Sequence, residues 1–158
     1  MYCKIIVKSI LMASLLLLIG CTTVKYENAV IINAPNNIVF NILEDYENYP
    51  SIIPEFHSTV KIISENRTGI GVQFNNSSTW GSYKIESTYE VIEYRINEYI
   101  KLKNLSQFGF TELIIKKVDD NKTEYTLINY TKIPFYMKKR LYESFDNELE
   151  IIRQLFEK

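Results

Sequence analysis

The sequence has little of what builds a disulfide framework, a metal centre or a nucleotide-binding loop. It contains two cysteines, Cys3 and Cys21, both in the first 21 residues, and His57 is its only histidine. A disulfide-stabilised domain and a Cys/His zinc site are therefore excluded for the rest of the chain. The five glycines form no phosphate-binding pattern, which excludes a P-loop and a dinucleotide fingerprint. We predict no metal, no cofactor and no catalytic residue that a motif identifies.

Positive charge is not in excess either. The formal net charge is −1 at pH 7, with 18 Lys and Arg against 19 Asp and Glu. Proteins that bind nucleic acid usually carry a basic stripe, so we expect no nucleic-acid partner. A chain of 158 residues, 46% of them hydrophobic and with only four prolines, has room for a single core. We expect one globular domain and a monomer.

The first twenty residues have the pattern of a secretory signal. Lys4 and Lys8 precede an apolar run at residues 10–19, which ends in a small residue, Gly20. The uncharged run has about half of the roughly 20 residues that a membrane-spanning helix needs. We therefore predict a signal peptide over residues 1–20.

The end of this segment, Leu-Ile-Gly-Cys at residues 18–21, resembles a bacterial lipobox. The resemblance implies that Cys21 is cleaved to become the N-terminus and carries acyl chains such as palmitate, which hold a protein at a membrane. Residues 21–28 would then be the lipidated cysteine and a tether. We expect a protein of the bacterial cell envelope, anchored to a membrane on the extracytoplasmic side.

The folded domain, residues 29–158, is organised around its C-terminal end. Residues 136–157 have the 3.6-residue period of an amphipathic helix. Six buried side chains contribute about 1.5 to 3 kcal/mol each before entropy, so this helix needs a large apolar partner. The stripe consists of Met137, Leu141, Phe145, Leu149, Ile152 and Phe156.

The partner is predicted to be a sheet. The clearest alternation of apolar and polar residues falls at 83–94, whereas in the last two strands it does not decide whether Tyr125, Leu127, Asn129 and Thr131 or their neighbours face inward. We predict an α+β fold in which a seven-stranded curved antiparallel sheet wraps around the long helix, with two short helices after the first strand. The strands are expected at 29–33, 58–65, 70–79, 83–94, 99–105, 108–118 and 124–133, and the short helices at 36–43 and 51–56.

A family resemblance accompanies this pattern. Residues 34–40 (APNNIVF), followed by Asp45-Tyr46, Tyr49-Pro50 and Gly69-Ile-Gly71, resemble START-like proteins of the SRPBCC superfamily, of the polyketide cyclase/dehydrase and coenzyme-Q-binding types. The likeness covers residues 30–156. It implies a helix-grip fold with an apolar cavity for lipids, polyketides, quinones or similar molecules. Its motifs are structural, so it implies no catalytic residue.

The leading hypothesis is a lipid-anchored envelope protein that binds or carries a hydrophobic small molecule. Glu112 lies among apolar residues and either points into the cavity or faces water between them. Trp80, Phe108 and Phe110 fall near strand ends, where aromatic side chains line a pocket mouth, dip toward a membrane or simply pack. The candidate ligand-binding residues are Trp80, Tyr83, Tyr89, Phe108, Phe110, Glu112 and Phe145.

Two alternatives remain open. One is an interaction module of an envelope assembly, which requires a filled core and an exposed apolar patch. The other, less favoured, is a cyclase- or dehydratase-type enzyme in which a tyrosine, Glu112 or the pair Glu55 and His57 transfers protons. Because no nucleophile or acid/base constellation stands out in the sequence, a binding protein is favoured over an enzyme.

Overall fold

The computed structural model describes residues 21–54, 57–80 and 83–157, with the backbone alone for Trp80 and Tyr83. The predicted signal peptide and Glu55 lie outside the described residues. Within them, no helix has the length and apolar character that crossing a bilayer requires.

The described part of the chain confirms the predicted sheet of seven antiparallel strands. The strands are β1 (Cys21–Ile32), β2 (Thr59–Ile62), β3 (Gln73–Trp80), β4 (Tyr83–Arg95), β5 (Tyr99–Asn104), β6 (Gly109–Asp119) and β7 (Lys122–Pro134). They lie in the order β1-β7-β6-β5-β4-β3-β2. The pairing of β4 with β5 shifts register between Val91 and Glu93, and that of β6 with β7 shifts between Lys117 and Asp119. Such irregularities bend strands and help the sheet to curve.

The first strand is longer than predicted. It begins at Cys21 and pairs with β7 over its whole length, from Cys21 opposite Pro134 to Ile32 opposite Thr123. Residues 21–28 are therefore paired strand and not the tether predicted for them. Burial explains the difference, because Val24 and Tyr26 are only 5% and 3% exposed, and leaving them in a solvated linker would forfeit that burial.

Two short helices follow β1, as predicted, but the second begins earlier than expected. Helix α1 spans Asn36–Glu44, a single 3-10 turn spans Tyr46–Asn48, and α2 spans Tyr49–Ile52. Pro50 precedes the predicted range of the second helix, yet it occupies the first turn of α2. The missing N–H of proline costs nothing there, since the first N–H groups of a helix have no intrahelical partner.

The sheet has two distinct ends. We call the end that carries Cys21, Asn104, Gly109 and Pro134 the open end, and the opposite end the closed end. Helix α1 packs at the closed end, where Thr123 Oγ1 donates a 2.7 Å hydrogen bond to the carbonyl oxygen of Ala34 just before the helix. Three apolar side chains of α1 are almost fully buried there: Val39, Phe40 and Leu43.

The long helix α3, Lys138–Gln154, follows a 3-10 turn at Phe135–Met137. Its apolar stripe has two roles that the sequence did not separate. Leu149 and Ile152, in the C-terminal half, are 1% and 2% exposed and belong to the core cluster. Met137, Leu141 and Phe145, in the N-terminal half, line a cavity instead.

Candidate ligand-binding cavity

A cavity of about 870 Å³ lies between the curved sheet and the N-terminal half of α3. It opens to the surface at the open end, because exposed residues such as Thr79, Gln107 and Tyr136 belong to its lining. Helix α1 and the C-terminal half of α3 fill the space at the closed end. The domain thus has a packed core in one half and an empty volume in the other.

The strands themselves mark where the core stops. On five neighbouring strands, the inward-facing residues change from large apolar to smaller polar ones toward the open end. Since side chains on one face of a strand recur every second residue, each change occurs within two to four residues. The apolar members are Phe74, Val91, Leu102, Leu113 and Leu127, and the polar members in the cavity lining are Asn76, Ser87, Asn104, Thr111 and Asn129.

Glu148 of α3 brings a carboxyl group to the cavity wall. Burial raises the pKa of Glu148 from its ordinary 4.5 to about 7. No ion pair involving this carboxyl group is found among the described residues, so no neighbouring cation offsets the lost hydration. Near neutral pH a large fraction of Glu148 is protonated and can donate a hydrogen bond.

Two buried tyrosines, Tyr89 and Tyr125, lie within electrostatic range of this carboxyl group. Burial is the main cause that raises the pKa of Tyr89 above 10, and the negative charge of Glu148 adds to it. Burial raises the pKa of Tyr125 as well, again with a contribution from Glu148. These phenols therefore stay neutral at physiological pH, and neither adds a charge to the environment of Glu148.

His57 also lies in the cavity lining, just before β2. Its Nδ1 is 3.0 Å from Asn76 Oδ1, and an amide oxygen can only accept, so Nδ1 is the donor. Burial lowers the pKa of His57 below 6.5, and the hydrogen bond to Asn76 only partly opposes this. The ring is therefore neutral at pH 7 and keeps Nε2 as an acceptor. Glu148 and His57 give one cavity an acid and a base.

Asn129 contributes an unpaired acceptor. Its Nδ2 donates a 2.9 Å hydrogen bond to Thr111 Oγ1, while its Oδ1 is buried without a partner among the described residues. A buried carbonyl oxygen without a hydrogen bond costs free energy. A donor group on a molecule in the cavity would satisfy it.

Three of the seven candidate ligand-binding residues lie in the cavity lining: Tyr89, Phe110 and Phe145. Tyr89 stands on the inward face of β4, with its ring centroid 5.5 Å from that of Phe74. Phe145 projects from α3, with its ring centroid 5.0 Å from that of Tyr26. Phe110 borders the cavity, but it shares the outer face of β6 with Glu112: its ring packs on Tyr130 at 4.6 Å, and Lys101 Nζ lies 5.1 Å from its centroid. Ligand contact by these residues remains a prediction.

Glu112 is not in the cavity lining. Its carboxylate accepts a 2.9 Å hydrogen bond from the Tyr99 hydroxyl and lies 3.6 Å from Lys101 Nζ. Because Leu113 faces the core, the alternation along β6 turns Glu112 to the outer face of the sheet. The interpretation of Glu112 as a group that orients a ligand is corrected. The alternative hypothesis, that Glu112 faces outward, agrees with the structure, except that Tyr99 and Lys101 contact the carboxylate.

The remaining candidates lie at the open end. Phe108 is 51% exposed and stands outside the cavity lining, with Lys132 Nζ 5.0 Å from its ring centroid. Trp80 and Tyr83 pair with each other at the ends of β3 and β4, and their side chains lie outside the described residues.

Sequence reasoning did not single out Glu148 or the asparagines of the cavity wall. A signal for Glu148 was present, since it lies three residues after Phe145 and four before Ile152, on the apolar stripe of the helix. A signal for Asn129 was present as well, since Tyr125, Leu127 and Asn129 are two residues apart and therefore share one face of β7. As for metals, no three His, Cys, Asp or Glu side chains come together in the described ranges as a metal site would need.

The comparisons with known proteins support the fold. No family model matches the chain, and no curated protein matches it significantly. Solved structures do. A START superfamily protein from Mycobacterium smegmatis superposes with a TM-score of 0.73 at 16% identity, covering 84% of this chain and 97% of that one. The Zhui aromatase/cyclase from Streptomyces sp. R1128 gives a TM-score of 0.70 at 15% identity, covering 86% and 94%.

A third similar structure is the di-domain ARO/CYC protein BexL of the BE-7585A biosynthetic pathway. It gives a TM-score of 0.68 at 13% identity and covers 83% of this chain, which spans 45% of that protein. Identities this low establish the fold alone. The chain therefore has the START-like helix-grip fold that the sequence predicted.

Proposed function

We propose that this protein is a lipid-anchored protein of the bacterial envelope that binds or carries a hydrophobic small molecule bearing a hydrogen-bonding group. The cavity of about 870 Å³ between the sheet and α3 is the observation that supports the proposal most directly. Cavities that hold small ligands commonly measure about 300 to 1,000 Å³.

The wall of the cavity favours an amphiphilic ligand. Ile85, Leu141 and Phe145 offer apolar surface, whereas Asn129 Oδ1 and the Glu148 carboxyl group offer one acceptor and one group that donates when protonated. An anionic head group is disfavoured beside Glu148, because a second negative charge would add repulsion to a carboxyl group that is already costly to ionise. A neutral lipid, a quinone or a polyketide-like molecule with hydroxyl or carbonyl groups fits this wall.

The lipid anchor rests on the sequence around Cys21. In the structure Cys21 is exposed, as a lipidated residue must be. The lipobox resemblance at residues 18–21 supports acylation and a location on the extracytoplasmic side of a membrane.

Native mass spectrometry with lipid extraction, on the full chain purified from its membrane, tests the binding proposal. We expect a neutral hydrophobic molecule that carries a hydroxyl or carbonyl group, near one-to-one occupancy. Ser87→Phe, which places a ring into the cavity from β4, should abolish that occupancy, whereas Thr88→Phe, one residue on and facing away, should preserve it. A protein that is empty and binds no fatty acid, quinone or isoprenoid would favour the interaction-module hypothesis instead.

A cyclase- or dehydratase-type enzyme is the second candidate. The observation that favours it is the carboxyl group of Glu148, whose pKa burial raises to about 7, in the same cavity as the neutral imidazole of His57, a combination suited to general acid–base chemistry. The two candidates differ in the fate of the bound molecule. An enzyme converts it over time and loses the conversion, but not the binding, in Glu148→Gln; a carrier releases it unchanged.

A further inference from the structure

The open end of the domain presents exposed aromatic side chains. Phe135 and Tyr136, in the turn between β7 and α3, are 72% and 74% exposed, and Phe108, beside Lys132 at the same end of the sheet, is 51% exposed. Burial of such rings is favourable, and exposed aromatic rings gathered at one end of a domain are typical of a surface that contacts a partner. Because Tyr136 belongs to the cavity lining, this surface and the cavity mouth are continuous.

Basic side chains stand beside these rings. Residues 132–142 contain four basic residues, Lys132, Lys138, Lys139 and Arg140, and no Asp or Glu. Lys132, Lys138 and Lys139 are exposed, and the Lys138 ammonium lies 5.4 Å from the Tyr142 ring centroid. The chain as a whole has a net charge of −1, so this concentration of positive charge is local. Aromatic rings flanked by lysines are the combination that partitions into the interface of an anionic bilayer.

The start of β1 lies at the same end. Cys21 pairs with Pro134, the residue immediately before Phe135, and paired residues in an antiparallel ladder have Cα atoms about 5 Å apart. Since residues 21–28 are strand and not tether, an acyl anchor on Cys21 would hold the aromatic turn directly against the lipid.

We propose that the open end, formed by Phe108, Phe135, Tyr136 and the neighbouring lysines, docks onto an anionic phospholipid bilayer and turns the cavity mouth toward it. This inference rests on the proposed function for its anchor and its ligand, and it adds the orientation. A ligand then passes between membrane and cavity without crossing water. The rings enter the interface, and the lysines contact phosphate groups.

Fluorescence quenching by bilayers with brominated acyl chains measures this contact. Phe135→Trp and Ile96→Trp are compared in the full chain on phosphatidylcholine vesicles with and without phosphatidylglycerol, and the signal of Trp80 in the unmodified chain is subtracted. Ile96 is 69% exposed in the β4–β5 turn at the closed end, which makes it the matched control. We expect the tryptophan at 135 to lose most of its emission on the anionic vesicles and the one at 96 to lose none.

The charge requirement is measured on residues 21–158 carrying Cys21→Ser, which hold every described helix and strand and lack the apolar run at residues 10–19. Replacing Lys138 and Lys139 by Gln should lower its partition into anionic vesicles about thirtyfold. The same change at Lys116 and Lys117, two adjacent exposed lysines near the closed end, should have little effect.

The outcomes separate the two proposals. Equal quenching at both positions, or none at 135 while the chain still sediments with vesicles, overturns the docking. A doubled mass together with an unquenched tryptophan at 135 assigns the surface to a second copy and also overturns it. An empty cavity with normal quenching contradicts the binding proposal and leaves the docking intact.

Discussion

The Tyr26 hydroxyl donates a 2.7 Å hydrogen bond to Asp146 Oδ1 and so joins β1 to the middle of α3. Asn28 Nδ2 donates to the same oxygen at 2.8 Å, and the Tyr142 hydroxyl donates to the carbonyl oxygen of Lys25. Three residues of the segment predicted as a tether therefore hold the helix that covers the cavity. The distance between sheet and helix, and with it the width of the cavity, depends on these contacts.

Tyr26→Phe removes the hydroxyl and leaves Asp146 with one fewer donor. Hydrogen bonds to a charged group contribute about 1.5 to 3 kcal/mol, and Asn28 retains part of the interaction, so we expect a loss of about 1.5 kcal/mol in the free energy of unfolding. Urea denaturation measures it. Tyr136→Phe, in a residue that is 74% exposed, should cost less than about 0.5 kcal/mol. Equal losses in both variants would mean that the bond to Asp146 does not stabilise the fold.

The sequence predicted the facing of residues on β4 better than it predicted the extent of β1. On β4, Ile85, Ser87 and Tyr89 lie in the cavity lining while Lys84 and Glu86 are exposed, as the alternation predicted. On β1 the same signal was present in Val24 and Tyr26, but the lipobox beside it favoured a linker. A period of two over so few residues is decided by the partner strand, and β7 lies a hundred residues away.

The cavity was harder to predict than the fold. The sequence did not show which residues of β7 face inward. In the structure Tyr125 and Leu127 are each 1% exposed, and Asn129 and Thr131 continue the same face of the strand into the cavity. From sequence alone, a polar side chain in an alternating strand is predicted to face outward. Only the neighbouring strands, each with a polar residue at the same height, show that these side chains enclose a common space.

Gly109 is predicted to be intolerant of a side chain. A Cβ there would lie 2.6 Å from the carbonyl oxygen of Tyr130 on the paired strand, and backbone cannot move aside as a side chain does. We expect Gly109→Ala to cost about 1 to 3 kcal/mol and to reduce ligand occupancy, because Gly109 lies in the cavity lining. Chemical denaturation and native mass spectrometry measure the two effects.

Gly69→Ala is the comparison for that variant. Gly69 has a φ of +83°, so alanine is strained there, but nothing lies within 4 Å of its Cβ and the site is far from the cavity mouth. It should lose stability and keep its ligand. Full occupancy in Gly109→Ala would contradict the predicted link between this close approach and the cavity.

Cys21→Ser tests the anchor. We expect a precursor that keeps residues 1–20 and incorporates no labelled palmitate, because the acyl acceptor is missing. The stability of the folded domain should not change, since Cys21 is an exposed residue at the end of β1. Cys3→Ser should be processed and labelled like the unmodified chain. Unaltered processing and labelling of Cys21→Ser would reject the lipoprotein interpretation.

The raised pKa of Glu148 should make the stability of the protein depend on pH. Its pKa is about 7 in the folded state and 4.5 in the unfolded chain, so between these values the unfolded state releases a proton that the folded state keeps. Below pH 4.5 both states are protonated and nothing is lost; as pH rises above 7 the loss reaches about 3 kcal/mol. Glu148→Gln, neutral at every pH, should therefore match the unmodified protein at pH 4 and exceed its free energy of unfolding at pH 8 by that amount.

Two other groups, His57 and Glu150, have lowered pKa values, and this difference from Glu148 makes the assignment to Glu148 specific. The lowered pKa of His57 removes stability as pH falls below 6.5, so it does not reproduce an alkaline loss. Hydrogen bonds from Arg153 and Gln154 lower the pKa of Glu150 to about 2, and its contribution is likewise lost toward acid. Glu150→Gln, two residues along the same helix, should therefore keep the decline between pH 5 and 8 that Glu148→Gln removes. If denaturation curves show the same decline in both variants, Glu148 is hydrated in the folded protein, and a neutral carboxyl group in the cavity is no longer available to donate to a ligand.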